Sequence, residues 1–164
     1  MKRRILTTVI GIAVIAGAGF FALQGFTGKA AADDMQAAVD ARHTLMKDNS
    51  AKMKAMGAVV QAKSGDLAAM AELAAGLQAN ATKTPDLFPK GTSLTDMPGN
   101  SYAKPEIWAH FDDFKAAAGV LATEAGKLAD AAKSGDMAAF VAQYDVVGEK
   151  GCGGCHTQFR QKKS

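Results

Sequence analysis

Cysteine is scarce in this chain of 164 residues: Cys152 and Cys155 are the only two, and the histidines are three, His43, His110 and His156. Two thiols cannot build a disulfide framework, and a structural zinc would need His43 and His110 to join the C-terminal group, since such sites take four ligands. Aromatic residues make up only 7% of the chain, and no stretch alternates apolar and polar positions as a half-buried strand does. The hydrophobic 48% comes largely from alanine, leucine, methionine and valine, which points to an all-helical protein. All four prolines (Pro85, Pro89, Pro98, Pro105) fall between residues 83 and 105, so helices can run uninterrupted elsewhere. Acidic residues are missing before Asp33, whereas Lys2, Arg3, Arg4 and Lys29 lie there, so the formal charge of +3 belongs to the N-terminus. Beyond Ala32 the basic residues number 15 against 16 acidic, and the two signs are interleaved. A body near −1 lays down no basic stripe, which excludes nucleic acid as a partner.

The N-terminus has the order of an export signal. Lys2-Arg3-Arg4 is followed by an uncharged, mostly apolar stretch over residues 5–23, and then by Ala30-Ala31-Ala32 as an A-x-A cleavage site. The expectation is a signal peptide over residues 1–32 and a mature domain over residues 33–164. An apolar stretch of 19 residues is also close to a membrane span, so an uncleaved anchor is the alternative. Both place the domain in the periplasm, soluble in the first case and tethered to the inner membrane in the second, with the basic cluster inside.

Apolar residues recur at near-helical spacing from Met35 through Val39, Leu45, Met46, Met53, Met56 and Val60, predicting a first helix over residues 33–63. Ser64-Gly65-Asp66 interrupts it, with glycine to end one helix and aspartate to cap the next. A second helix is expected over residues 66–82. The proline-bearing segment is the one long loop, and Pro105 and Glu106 suit the first turn of a third helix running to about residue 133. The stretch Ala62-Lys63-Ser64-Gly65-Asp66-Leu67-Ala68-Ala69-Met70 then returns as Ala132-Lys133-Ser134-Gly135-Asp136-Met137-Ala138-Ala139-Phe140, 70 residues later. The same turn chemistry implies a fourth helix from Asp136 to the C-terminus and two antiparallel hairpins, which compose an up-down four-helix bundle.

The chemistry sits in Gly151-Cys152-Gly153-Gly154-Cys155-His156, which contains C-x-x-C-H, the attachment signature of a c-type haem. On a helix, Cys152 and Cys155 share one face and His156 lies one turn beyond Cys152, so two thiols can reach the haem vinyl groups while the imidazole reaches iron. A thioredoxin-like redox pair would sit beside a βαβ pattern, and no strand pattern is present.

With these residues in view, the chain resembles the class II cytochromes c, the cytochrome c prime family, over residues 33–164. The motif lies near the C-terminus, on the last helix of the expected bundle, as in that family; cytochrome c prime is a standing example of the up-down bundle. Arg42-His43-Thr44-Leu45-Met46-Lys47-Asp48-Asn49, Leu87-Phe88-Pro89, Lys104-Pro105-Glu106-Ile107-Trp108 and Phe159-Arg160 match in order and spacing. The resemblance implies one covalent haem c on Cys152 and Cys155, with His156 as the proximal iron ligand. Leu45-Met46-Lys47-Asp48-Asn49 is most similar to the low-spin cytochrome c-556 branch, which carries over Met46 as the distal iron ligand. Other members leave that side open and bind small gases such as nitric oxide. Many relatives are homodimers, so a homodimer is implied in the same way.

Arg42 and Arg160 each lie one turn from a candidate iron ligand, where a guanidinium can pair with a haem propionate; the bland reading is two solvated arginines. His43 precedes Met46 by three residues and is a minor rival to it, while His110 and Trp108 read as surface or packing residues. Lys47, Lys150, Lys162 and Lys163 flank the candidate site as a patch for a redox partner or as an ordinary solvated face. No acid, base or nucleophile constellation appears, so the reading is a carrier and not an enzyme. It would pass single electrons between periplasmic or membrane redox proteins, the alternative being a five-coordinate haem that binds or buffers gas.

Overall fold

The structure is a computed structural model describing residues 24–162, with side-chain surroundings from Ala31 onward. The apolar stretch over residues 5–23 therefore lies outside the described residues. Among the described residues no helix is long and apolar enough to cross a membrane.

The first helix, α1, runs Gln24–Ala62, beginning nine residues before the expected start at Asp33 and so crossing the A-x-A site without a break. It ends where Lys63 (φ 49°) and Gly65 (φ 149°) turn the chain, the second conformation being one that only glycine adopts without strain. The carboxylate of Asp66 then accepts from the backbone N–H groups of Ala68 and Ala69 at 2.9 and 3.1 Å and starts α2, Leu67–Lys83. The repeat does the same work again: Gly135 (φ 75°) turns the chain and Asp136 accepts from Ala139 N at 3.0 Å. Each such cap contributes about 0.5–2 kcal/mol, so the duplicated Ser-Gly-Asp fixes both hairpins locally.

The expected third helix is two. After a 3-10 turn at Thr84–Leu87 and the loop, a single turn, α3 (Glu106–Ala109), breaks at His110 (φ −131°, ψ 53°) before α4, Phe111–Lys133. The break lets Ile107 and Phe114 reach one apolar cluster while Trp108 Nε1 donates to Phe88 O at 3.1 Å. The last helix is not uniform either. It begins as α5 (Met137–Val146), widens into a π-helix over Val147–Gly153, and resumes as α6, Gly154–Phe159. Gly151 marks a close approach of that segment to α4: a Cβ there would stand 2.8 Å from Leu121 Cδ1 and 3.3 Å from Leu121 Cα, so a larger residue would need Leu121 to shift.

The helices α2 and α4 pack most extensively; α5 and the π segment lie along α4, and α1 lies against α2 and α5. This is a four-helix bundle of α1, α2, α4 and the composite α5–π–α6. Its main core gathers Met56, Leu77, Leu128, Phe140 and Val147 around small alanines, all nearly inaccessible to water. A second cluster of Ala103, Ile107, Phe114 and Phe159, flanked by Phe88, Trp108 and Cys155, occupies the end where the chemical motif lies. Met56 and Met70 are core residues, whereas Met35, Met46, Met53, Met97 and Met137 are only half-buried.

Candidate haem site

Cys152 is the last residue but one of the π segment, and Cys155 and His156 follow Gly154 in the first turn of α6, so the motif straddles a change of helical pitch. Both thiols are free and half-buried. Burial raises the pKa of Cys152, and burial together with the neighbouring Cys152 pushes Cys155 up to about 11. Two neutral thiols are poor nucleophiles at neutral pH, which speaks against a dithiol redox centre. His156 stands on the exposed side of α6, and desolvation, then the nearby Arg160 guanidinium, lower its pKa and favour the neutral imidazole an iron ligand must be. Thr157 Oγ1 donates to Gly153 O at 2.8 Å and steadies the turn between the two cysteines. Among the described residues no three His, Cys, Asp or Glu side chains converge as a metal site, so the zinc alternative finds no ligand set there.

Arg42 and Met46 stand on α1, which packs against α2 and α5 rather than extensively against α6. Arg42, Met46 and Asn49 form one stripe of that helix; Arg42 and Asn49 are buried and Met46 between them is half-buried. Arg42 Nη1 donates to Thr92 Oγ1 at 2.9 Å, Nη2 donates to Thr92 O at 3.0 Å and Ser101 Oγ at 3.3 Å, and the guanidinium lies 4.5 Å from the Phe88 ring. These partners are all neutral. Burial without a carboxylate partner lowers its pKa to about 10. Asn80 Nδ2 donates to Asn49 Oδ1 at 2.7 Å and ties this part of α1 to α2.

Arg160 is exposed, and its backbone forms an isolated antiparallel bridge with Ala103. His43 packs its ring 6.4 Å from that of Tyr102, and exposed His110 sits near Asp113. Lys47, Lys150 and Lys162 are exposed, and Lys163 lies outside the described residues. The residues that sequence reasoning missed are Thr92 and Ser101, the hydroxyls under Arg42. They stand in a loop without periodicity, and no sequence signal marks them.

The donor set fits a covalently held haem: two free thiols, an adjoining imidazole whose pKa is lowered, and a buried guanidinium with only neutral partners, to which a propionate would supply the missing anion. Comparison with known proteins decides the matter. Residues 37–160 match the family described as Cytochrome C'. The chain belongs to the cytochrome c prime family. It is 34% identical over 126 residues to a cytochrome c-556 of Agrobacterium tumefaciens (strain II Chrys), covering 76% of this chain and 98% of that one. It is 33% identical over 126 residues to a cytochrome c' of Pararhodospirillum photometricum, covering 77% and 98%. Among solved structures, a cytochrome c' from Rubrivivax gelatinosus superposes with a TM-score of 0.65 at 30% identity, covering 76% of this chain and 94% of that one. The nitric oxide complex of a mutant cytochrome c prime from Alcaligenes xylosoxidans gives 0.69 at 26% identity, covering 79% and 97%. The protein is accordingly a class II cytochrome c with covalent haem c, an electron carrier or gas-binding haem protein, and this family is not typically enzymatic.

Proposed function

We propose that this cytochrome is a periplasmic single-electron carrier with Cys152 and Cys155 as thioether anchors and His156 and Met46 as the two axial ligands. The observation that carries the reading is the α1 stripe, which buries Arg42 and Asn49 on either side of a half-buried methionine. Haem iron supplies a one-electron Fe(II)/Fe(III) couple, and histidine/methionine ligation raises its potential. The chain's residues would hold that couple in place: the thiols would prevent loss of the cofactor, His156 and Met46 would ligate the iron, and Arg42 and Arg160 would offer guanidinium donors to propionates. The exposed Lys47, Lys150 and Lys162 suit a periplasmic or membrane redox partner with an acidic face.

A second reading, a five-coordinate haem that binds or buffers gas, is favoured by one observation: a structural relative is a nitric oxide complex. An absorption spectrum of the purified protein separates the two. Low-spin bands in both oxidation states are expected, and high-spin bands at neutral pH would overturn the carrier reading.

We also propose that residues 1–32 are an export signal cleaved after Ala32, even though α1 runs through that position. Intact mass of protein from its native host should place the first residue between Ala31 and Asp34 in the soluble fraction. Full-length mass in the membrane fraction would instead establish the anchor. Association as a homodimer belongs to the same proposal and is read by size-exclusion chromatography with light scattering.

A further inference from the structure

Residues 101–104 touch both of the helices that carry the proposed axial ligands. Toward α1, Ser101 Oγ accepts from Arg42 and donates to Thr92 O at 2.9 Å, while Thr92 presents its hydroxyl and carbonyl oxygens to the same guanidinium. Arg42 is 5% exposed, Thr92 0% and Ser101 4%, so water does not compete for these bonds. Met46 follows Arg42 by one helical turn. Toward α6, Gln161 N donates to Tyr102 O at 2.8 Å, Lys104 N to Phe159 O at 3.0 Å, and Lys104 Nζ to Gln158 O at 3.2 Å. Phe159 follows His156 by three residues. An apolar path runs in parallel: Phe88 beneath Arg42 packs at 4.7 Å between centroids on Phe114, which packs at 5.4 Å on Phe159.

We infer that residues 101–104 are a strap that fixes the spacing of α1 from α6 and thereby governs how readily an external ligand reaches the iron. Without it, a loop holding Pro85, Pro89 and Pro98 would leave the two helices joined here only by side-chain packing. Arg42 is the positioning residue at the α1 end: it donates to Ser101 of the strap directly and to Thr92, which Ser101 Oγ holds through Thr92 O, and these bonds are charge-assisted. A ligand that needs α1 to move aside binds only to the fraction of molecules in which it has moved, so loosening the strap raises apparent access. The identity of Met46 as internal ligand rests on the proposed function; the spacing does not.

The test compares the haem-loaded Thr92→Val/Ser101→Ala double variant with Phe140→Leu, which perturbs the main core and leaves the strap intact. In the double variant, carbon monoxide should bind the reduced protein about tenfold faster, while Phe140→Leu stays within about twofold of wild type despite a lower melting temperature. Amide exchange at Lys104 and Gln161 should quicken in the double variant alone. An unchanged carbon monoxide rate in the double variant, or an equal change in both variants, overturns the strap. Ser101→Ala alone, with a smaller change of the same sign, serves if the double variant fails to accumulate. A high-spin wild-type spectrum would remove Met46 as ligand, and the carbon monoxide comparison would still judge the strap.

Discussion

The paired substitutions Cys152→Ala and Cys155→Ala should abolish all haem that survives denaturation, whereas each single variant should retain haem through its remaining thioether. No third cysteine exists to take over the link. Both thiols are free, half-buried and neighbours across the junction of the π segment and α6, an arrangement that suits a pair of vinyl groups along one haem edge. Haem staining of a denaturing gel reads the result directly, and a stained band from the double variant would sink the assignment. Folding should suffer as well, because a tightly held cofactor stabilises only the native state, and the cofactor now dissociates. Circular dichroism of the double variant should therefore show earlier thermal unfolding than the single variants.

The parts legible in the sequence are those governed by local chemistry. Ser64-Gly65-Asp66 and Ser134-Gly135-Asp136 announce themselves because an aspartate cap and a left-handed glycine act within a few residues of chain, and both hairpins form as their spacing implies. The C-x-x-C-H motif is legible for the same reason: its chemistry is written in five consecutive residues. The prolines mark the loop because each one removes a backbone donor.

What was not legible depends on distant partners. The π segment at Val147–Gly153 arises where Gly151 meets Leu121, 30 positions earlier, and a glycine-rich motif does not by itself reveal which neighbour it must accommodate. The break at His110 follows from Ile107 and Phe114 sharing one cluster, a demand of packing that overrides the continuous helical pattern of residues 106–133. Arg42 is the sharpest case. One turn from Met46 on an amphipathic helix it reads as a propionate partner or a solvated cation. In the fold only the solvated reading fails: the guanidinium is buried by Thr92, Ser101 and Phe88, whose approach is set by a loop with no period to read.

Met46→Ala should convert a low-spin haem to high-spin, lower the reduction potential, and open the iron to carbon monoxide. If the thioether bonds iron, its loss removes the ligand that raises the potential and leaves His156 as the only axial group. The bundle should survive, because thioethers at Cys152 and Cys155 would hold the cofactor independently of α1. The structural loss is one side chain, and methionine to alanine costs about 2–5 kcal/mol at fully buried sites, with half-buried Met46 falling toward the lower end. His43→Ala serves as the control: its ring packs on Tyr102, and its removal should leave the spin state unchanged. Absorption spectra in both oxidation states, a redox titration and carbon monoxide binding read the three effects together. If the wild type is already high-spin at neutral pH, the gas-binding reading replaces the carrier. If Met46→Ala stays low-spin while His43→Ala does not, the distal ligand is His43, and α1 presents its neighbouring face to the iron.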